Sequence, residues 1–225
     1  MDIIFFAALA FIIFLKLNKQ LGKIDEEEKK QIEAKLAKRK EEVLAIQSKI
    51  TQQYQQQVLP ILEKRNQIEE QILQPLDATT RQNFSNILQR CNIAAEFFIN
   101  GAKSAFEMII KAFAANDLET LKILLADKIY QGFENAVNQR KSQESTLVTN
   151  LISIEKAEIV SAMLLENFAS VAVKIVSKQI NYITDKNGQV IEGRKDEISE
   201  LTDIWTFKKD VTSPNPNWVV SATSN

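Results

Sequence analysis

Hydrophobic side chains fill the first part of the chain without interruption. After Asp2, the 13 residues from Ile3 to Leu15 carry no polar side chain. A helix of this length reaches about 20 Å, which is shorter than the roughly 30 Å hydrocarbon core of a bilayer. Lys16 and Lys19 can snorkel to the headgroups, so the span can extend beyond Leu15. A cleaved signal segment and a buried or interfacial helix are the alternatives.

We therefore expect residues 1–23 to form a transmembrane helix. Its apolar surface would consist of Ile3, Ile4, Phe5, Phe6, Leu9, Phe11, Ile12, Ile13, Phe14 and Leu15. Lys16, Lys19 and Lys23 follow the apolar run, whereas only Asp2 precedes it. Since positive charge stays on the cytoplasmic side, the N-terminus should face outward and the C-terminal part should lie in the cytoplasm. This pattern predicts a single-pass protein of the inner (cytoplasmic) membrane, or a matrix-facing one in an organelle.

Residues 24–82 form a charged, glutamine-rich segment that predicts a long helical spacer. Glycine is absent between residues 24 and 75, and Glu, Lys and Gln favour a solvated helix. A weak heptad pattern favours either one exposed helix or a dimeric coiled coil, which would make the chain a homo-oligomer. We expect Pro60 and Pro75 to kink or end helical segments. The apolar heptad positions are Ile32, Leu36, Val43, Ile46 and Ile50, interrupted by Arg39 and Gln53.

The first half of residues 83–225 shows helical periodicity. Its third helix should begin at a cap formed by Asn116 or Asp117 and end in the polar run 138–144. The first apolar set is Phe84, Ile87, Leu88, Cys91, Ala95 and Phe98, and the second is Ala102, Ala105, Phe106, Ile109, Ile110 and Phe113. The third is Leu118, Leu121, Leu124, Leu125, Ile129, Phe133 and Val137.

The second half is β-rich. Strands are predicted at about 150–165, 169–183, 189–208 and 217–223, with a turn at 185–188. Helices followed by strands indicate an α+β fold, with helices packed on one face of an antiparallel sheet. The aromatic residues need a shared interior, so the sheet should curl and could leave an apolar pocket. The expected pocket residues are Phe106, Phe113, Tyr130, Phe133, Trp205, Phe207 and Trp218.

Composition excludes several kinds of chemistry. The chain has no histidine, which removes histidine-dependent nucleophilic catalysis and histidine-ligated metal sites. Cys91 is the single cysteine and fits a small buried hydrophobe in a reducing compartment. With a net charge of −1 and no glycine-rich phosphate loop, we expect no nucleic-acid partner and no cofactor. The remaining enzymatic alternative is Asp203 as a general base beside Tyr130 or Tyr182, but we expect a protein without catalytic activity.

Several ordered segments of the folded part resemble a known family. They are Phe98 to Glu107, Ala112 to Asp117, Leu121 to Leu125, Tyr130, Phe133 and Arg140, then Asp203 to Asp210 and Asn215 to Trp218. Over about 84–223 the chain is similar to the C-terminal domain of the forty-four-kilodalton subunit of the mitochondrial inner-membrane translocase, the Tim44-like family. The N-terminal apolar run stands where the mitochondrial proteins have a cleavable presequence, which favours a bacterial relative.

The resemblance implies a cone-like fold similar to nuclear transport factor two. It also implies an adaptor that recruits a chaperone, the seventy-kilodalton heat-shock protein, to a translocation channel and contacts cardiolipin-rich membrane. The positions that match the family's leading lipid-contact helix are Phe84, Ile87, Leu88 and Cys91. We therefore expect a membrane-anchored adaptor with a chaperone- or translocase-type partner and a lipid contact. The alternative is a carrier that binds lipid or another hydrophobic ligand in the cone pocket.

Overall fold

The charged segment that follows the apolar run forms a long helix. The computed structural model describes residues 26–224, in which α1 spans Glu26–Gln53. The chain divides into two compact units between Glu63 and Lys64. The predicted anchor, residues 1–23, lies outside the described residues. Among the helices of residues 26–224, none combines the length and the apolar character of a membrane span.

Pro60 does not end the helical spacer. A π-helical segment, Tyr54–Val58, follows α1, and the N–H of Leu59 donates to the carbonyl of Tyr54 five residues back. Proline has no N–H, and its ring collides with the carbonyl four residues earlier in a regular α-helix. The wider π turn removes this conflict. The helix then continues as α2, Leu59–Leu73.

The predicted heptad seam of α1 is exposed along its whole length. Its apolar side chains are all solvent-accessible in the single chain, and so is Leu44 beside them. The exposed helix and the homodimeric coiled coil both fit this surface, so the homo-oligomer stays a prediction. The exposed seam residues are Ile32, Leu36, Val43, Ile46 and Ile50.

Arg81 and Asp77 fix the turn between α2 and α3, Ala78–Cys91. The Arg81 guanidinium donates to the carbonyls of Leu73, Gln74 and Leu76 at 3.0, 2.7 and 3.2 Å. The carbonyl of Leu73 is the last of α2 and has no partner within the helix, and those of Gln74 and Leu76 belong to the turn. The Asp77 carboxylate accepts from the first N–H groups of α3, as an N-cap does.

Four helices, α3 to α6, lie between the spacer and the sheet, where periodicity predicted three apolar sets. After α3 come α4, Ala95–Ala114, α5, Leu118–Leu124, and α6, Asp127–Ser142. The first set crosses a break, because Asn92 adopts a left-handed conformation that ends α3. The third set is likewise divided between α5 and α6. Asp117 caps α5 by accepting from the N–H and the hydroxyl of Thr120, which decides between the two predicted cap residues.

The second half folds into an antiparallel sheet, as the sequence predicted, but with five strands where four were expected. Its strands are β1, Thr146–Leu165; β2, Phe168–Thr184; β3, Val190–Gly193; β4, Ser199–Asp210; and β5, Val219–Ser224. Their order is β1-β2-β4-β5, and β3 pairs with β2. The predicted single strand at 189–208 was wrong, because polar residues separate β3 from β4. The turn at 185–188 is confirmed: Asp185 accepts from the N–H groups of Asn187 and Gln189, both at 2.9 Å.

Three bulges bend β1 while β2 stays continuous beside it. The register shifts at Ile152, Glu155 and Val160, each of which is an extra residue on β1. Each extra residue bends its strand and increases the local twist. The sheet can therefore curl around the helices, which pack on one face of it. This establishes an α+β fold; the finer likeness to the nuclear transport factor two cone stays a prediction.

The core lies between α3, α4 and the inner face of β2 and β4. It contains Phe84 and Ile87 from α3, Phe98 and Phe106 from α4, and Trp205 from β4. These side chains are almost fully buried. Trp205 lies buried between the helices and the sheet.

Gly193 sets the close approach of β3 to β2. Its φ is +72°, and a Cβ atom there would collide with the carbonyl oxygen of Asn181 and lie 3.0 Å from the Cα of Tyr182. We expect Gly193→Ala to destabilise this hairpin by about 1–3 kcal/mol, because both the backbone conformation and the space are unfavourable. Amide hydrogen exchange of β2 and β3 measures the effect.

Gly188 provides the matched control for this substitution. Its φ is +81°, but a Cβ atom there would meet nothing within 4 Å. Gly188→Ala should therefore destabilise the hairpin only through its unfavourable backbone conformation, without a collision. Equal protection losses in the two variants would show that the collision with Asn181 is relieved at no cost.

Candidate functional site

The predicted lipid-contact residues of α3 face the protein interior. Phe84, Ile87 and Leu88 are buried in the core, and the Phe84 and Phe98 rings meet edge to face at 5.5 Å. Cys91 is half-buried at the end of the helix. The expectation that these side chains form a lipid-contact surface needs correction, because the apolar face of α3 is used to cover the sheet.

Most of the predicted pocket aromatics fill the interior. The ring centroids of Phe106 and Trp205 are 4.7 Å apart, and those of Phe113 and Phe133 are 4.9 Å apart. Tyr130 lies at the edge of the core and donates its hydroxyl to Glu134 at 2.9 Å. These five aromatic side chains therefore pack against the protein itself and do not line one open pocket.

Arg140 holds the end of α4 against α6. Its buried guanidinium donates to the carbonyl of Phe113 at 2.5 Å and to the Oδ1 of Asn116 at 2.8 Å, and it lies 4.1 Å from the centroid of the Phe113 ring. Burial lowers the pKa of this guanidinium from its usual range. The C-terminal carbonyls of α4 stabilise the positive charge, which gives Arg140 a structural role.

Phe207 and Trp218, the other two predicted pocket residues, line an apolar groove. The groove has a volume of about 430 Å³ and is bounded by the start of α4, the end of α3, the end of β4 and the loop before β5. Phe98 forms its floor, with its ring centroid 5.0 Å from Trp218 and 6.1 Å from Phe207. The other lining residues are Cys91, Ile93, Phe97, Gly101, Ala102, Ala105, Lys209, Pro216 and Asn217.

Small residues on α4 create the space in this groove. Gly101, Ala102 and Ala105 follow each other on one face of the helix, and a Cβ atom at Gly101 would meet nothing within 4 Å. The sequence indicated that this face would allow another element to approach closely. Among residues 26–224, no neighbouring element comes within 4 Å of a Cβ at Gly101, so this face forms an open wall of the groove.

Phe97 is the functional candidate that sequence reasoning missed. It lies at the groove rim with 68% of its surface exposed, whereas its neighbour Phe98 is buried. Phe97 does not fall in the apolar set that covers the core, and that mismatch was the available signal. An aromatic side chain beside an apolar groove is typical of a residue that contacts a bound molecule.

Lys209 and Cys91 set the polarity of the groove. The Lys209 ammonium donates to the carbonyl of Asn215 in the loop before β5. Burial raises the pKa of the Cys91 thiol, and the charges of Lys209 and Arg90 oppose this in part. The groove therefore presents an apolar surface with a neutral thiol and one cation at its edge.

Asp203 lies apart from the two tyrosines that were considered with it. It sits half-buried on β4 opposite Ile175, and burial raises the pKa of its carboxyl while a hydrogen bond from Trp205 opposes this. Among residues 26–224, no hydrogen bond joins Asp203 to Tyr130 or Tyr182. The structure therefore does not assemble the acid–base arrangement that the sequence left open.

Comparison with known protein families assigns the chain to a family. Residues 91–225 match the Tim44-like domain, which is more than half of the chain. The chain belongs to the Tim44-like family. This confirms the resemblance drawn from the ordered segments between about 84 and 223. The groove and the core described above lie mainly within the Tim44-like domain.

A curated relative is similar to part of this chain at modest sequence identity. The probable mitochondrial import inner membrane translocase subunit tin-44 of Caenorhabditis elegans is 28% identical over 109 residues. These residues are 48% of this chain and 26% of that protein. The Tim44-like chain therefore matches about a quarter of the relative's length.

Two solved structures show weak likeness to the chain. The intermembrane space region of the chloroplast protein ARC6 has a TM-score of 0.39 at 11% identity, covering 56% of this chain and 94% of its own. A SEC-C motif containing protein from Rhodopseudomonas palustris has a TM-score of 0.27 at 12% identity, covering 51% and 70%. With TM-scores this low, neither structure adds to the assignment.

The open space above Gly101 leads to a stability prediction. Gly101→Ala should stabilise the Tim44-like domain by about 0.5–1 kcal/mol, because alanine restricts the unfolded chain and meets no obstacle in the helix. Gly132→Ala on α6 is the matched control, since a Cβ atom there also meets nothing within 4 Å. Denaturant unfolding measures both. A loss of stability in the Gly101 variant alone would show that its groove wall is closed in solution.

The raised pKa of Cys91 leads to a prediction for its reactivity. Because less of the thiol is ionised, we expect alkylation at about pH 8 to be slower than for a free cysteine and to rise steeply at higher pH. Mass spectrometry after timed alkylation measures the rate. A rate that already levels off near neutral pH would mean that Lys209 and Arg90, and not burial, control this thiol.

Proposed function

We propose that this Tim44-like protein is a membrane-tethered adaptor that captures an apolar segment of a protein partner in the groove beside Phe97. The open groove on α4 is the observation that carries the proposal, because its aromatic floor and exposed rim match the anchor pockets of protein interfaces. The family membership and the name of the nematode relative support a role in protein import at an inner membrane. A chaperone or a translocation component is the proposed class of partner.

Groove and tether would act together in this proposal. Fully burying one leucine or phenylalanine side chain contributes about 1.5–3 kcal/mol, so a groove of this size gives only weak binding by itself. A tether raises the effective concentration of the domain near membrane partners, and weak contacts then become occupied. We propose residues 1–23 as the anchor, with the N-terminus outside and the Tim44-like domain in the cytoplasm.

The spacer suits this arrangement. With 28 residues, α1 is about 42 Å long. A helix of this length gives the domain reach without the entropy of a flexible linker. Its exposed seam also supports self-association as part of the proposal.

A second candidate function uses the same groove for a lipid or another hydrophobic ligand. Lys209 at the groove edge favours this alternative, because its ammonium could pair with the anionic head of a molecule whose chain lies on Phe98 and Gly101. Cardiolipin belongs to this chemical class. The adaptor remains the first proposal because Phe97 projects outward from the rim.

Site-specific photo-crosslinking separates the two candidates. A benzophenone amino acid at Phe97 in the full chain should give a protein adduct in cells, because the groove would hold a partner segment next to this ring. Gly101→Leu should reduce that adduct about tenfold by occupying the groove, as the loss of one buried apolar side chain predicts. Gly132→Leu should leave it unchanged.

The controls decide what a negative result means. The same benzophenone at Ile123 on α5, which is 65% exposed, measures adducts that do not depend on the groove. If residue 97 forms lipid adducts and Gly101→Leu removes them, the groove binds lipid, and the carrier function is correct in place of the adaptor. Equal amounts of adduct at residues 97 and 123 would show that the groove binds neither a protein segment nor a lipid.

A further inference from the structure

The exposed seam of α1 has a further apolar residue beyond the π-helical segment. Ile61 exposes 69% of its surface and does not pack against the core. Counted in heptads, Ile50 is an a position, and the d position of the next heptad comes about ten residues later, at Pro60. Ile61 lies one residue beyond that. The heptad pattern of α1 therefore meets Ile61 only if the helix accommodates one extra residue before it.

The π turn accommodates this extra residue. Because the N–H of Leu59 donates to the carbonyl of Tyr54 five residues back, this turn holds one residue more than an α-helical turn. Residues after the turn move back by one heptad position, and Ile61 takes the place of a d residue. Pro60 maintains the wider turn, since its ring conflicts with a regular α-helix. We call the aligned side chains the extended seam: Ile32, Leu36, Val43, Ile46, Ile50 and Ile61.

A second copy of this chain offers the surface that the extended seam requires. Apolar side chains at a and d positions pack as knobs into the holes of a helix with the same spacing. The extended seam runs over about four heptads, which is the length at which such a pattern indicates a coiled coil. In a parallel pair without a shift, the two π turns lie side by side. Each extra residue then faces its counterpart, and the layers stay matched on both sides of the turn.

An antiparallel pair cannot match the whole seam. If the two seams faced each other in reverse, the π turn of each copy would lie against a regular part of the partner's α1, and the layers would lose their register there. If the two π turns were aligned in reverse, Ile32 and Leu36 would lie beyond the end of the partner's α2 at residue 73. Only the parallel arrangement pairs every residue of the extended seam.

We infer that α1 and the π-helical segment form a parallel, in-register coiled coil with a second copy of this chain, and that the π turn keeps the layers aligned as far as Ile61. This pair rests on the self-association proposed for the spacer and does not involve the groove. Arg39 and Gln53 occupy d positions, and polar residues in such layers weaken a pair while they fix its register. Lys35 and Lys40 face each other across parallel helices, but both are exposed, and charges at an exposed rim contribute little.

Distances between identical spin labels test the orientation in the full chain. Ala34→Cys, Glu41→Cys and Ser48→Cys, each in a Cys91→Ser background, place a label on the outer side of the pair at successive heptads. A parallel, in-register pair gives three equal distances. In an antiparallel pair, the axial separation of two identical labels changes by about 3 Å for each residue, so the three separations differ by about 21 Å or more. Pulsed electron paramagnetic resonance of the purified chain in detergent measures these distances.

A fourth label tests the π turn. Glu63→Cys occupies the same outer heptad position once the extra residue is counted, so its distance should equal the other three. Pro60→Ala permits a regular α-helix, which would rotate residue 63 by about 100° and shift its distance while the first three stay unchanged. Deletion of Gln56 from the Pro60→Ala variant removes the extra residue and should restore the distance. If residue 63 differs from the other positions in the chain with Pro60, the π turn does not align the layers.

A matched pair of substitutions tests which surface of α1 is used. Leu36 belongs to the extended seam, whereas Leu44 is 64% exposed beside it. Leu36→Glu should raise the dimer dissociation constant about tenfold or more, because each copy loses one buried apolar side chain, and Leu44→Glu should leave it unchanged. The amplitude of the dipolar signal on dilution measures both. Unequal distances at the first three labels, no distance between copies, or equal effects of the two substitutions would overturn the inference. Intact pairing without a groove adduct at Phe97 would refute only the proposed adaptor.

Discussion

The bending of β1 is the constraint on which the rest of the folded domain depends. A flat sheet would present its inner face to the helices along one plane, and the core would be thin. The extra residues Ile152, Glu155 and Val160 bend this edge strand while β2 keeps an unbroken ladder with β4. The inner face of β2 and β4 can then enclose α4, and Phe106 and Trp205 meet between the two layers.

The same packing explains why a groove remains at one end. Large side chains of α4 fill the deep part of the curved sheet, whereas Gly101, Ala102 and Ala105 leave its shallow side without bulk. Phe98 links both regions, since its ring meets Phe84 in the core and Trp218 in the groove. The groove floor is therefore part of the core.

From the sequence, the type of each helix or strand was easier to predict than what its apolar face contacts. Apolar periodicity located the helices and the sheet, but it ran unbroken through Asn92, where a left-handed backbone conformation ends α3. It also could not tell whether the apolar face of α3 meets lipid or the protein's own sheet, because both environments require the same residues. Phe97 was missed for a related reason: its significance lies in being outside the core pattern, and only the structure shows the open space beside it.

The groove and the β1–β2 turn are linked through neighbouring residues of β4. Lys208 and Lys209 are adjacent and therefore point to opposite faces of the sheet, Lys208 toward Phe168 and Lys209 toward the groove. Arg90 and Cys91 repeat this arrangement at the end of α3, where the first fixes the hairpin turn and the second lines the groove. The groove wall and the turn therefore depend on the same two elements, so a change at the end of β4 or of α3 affects both.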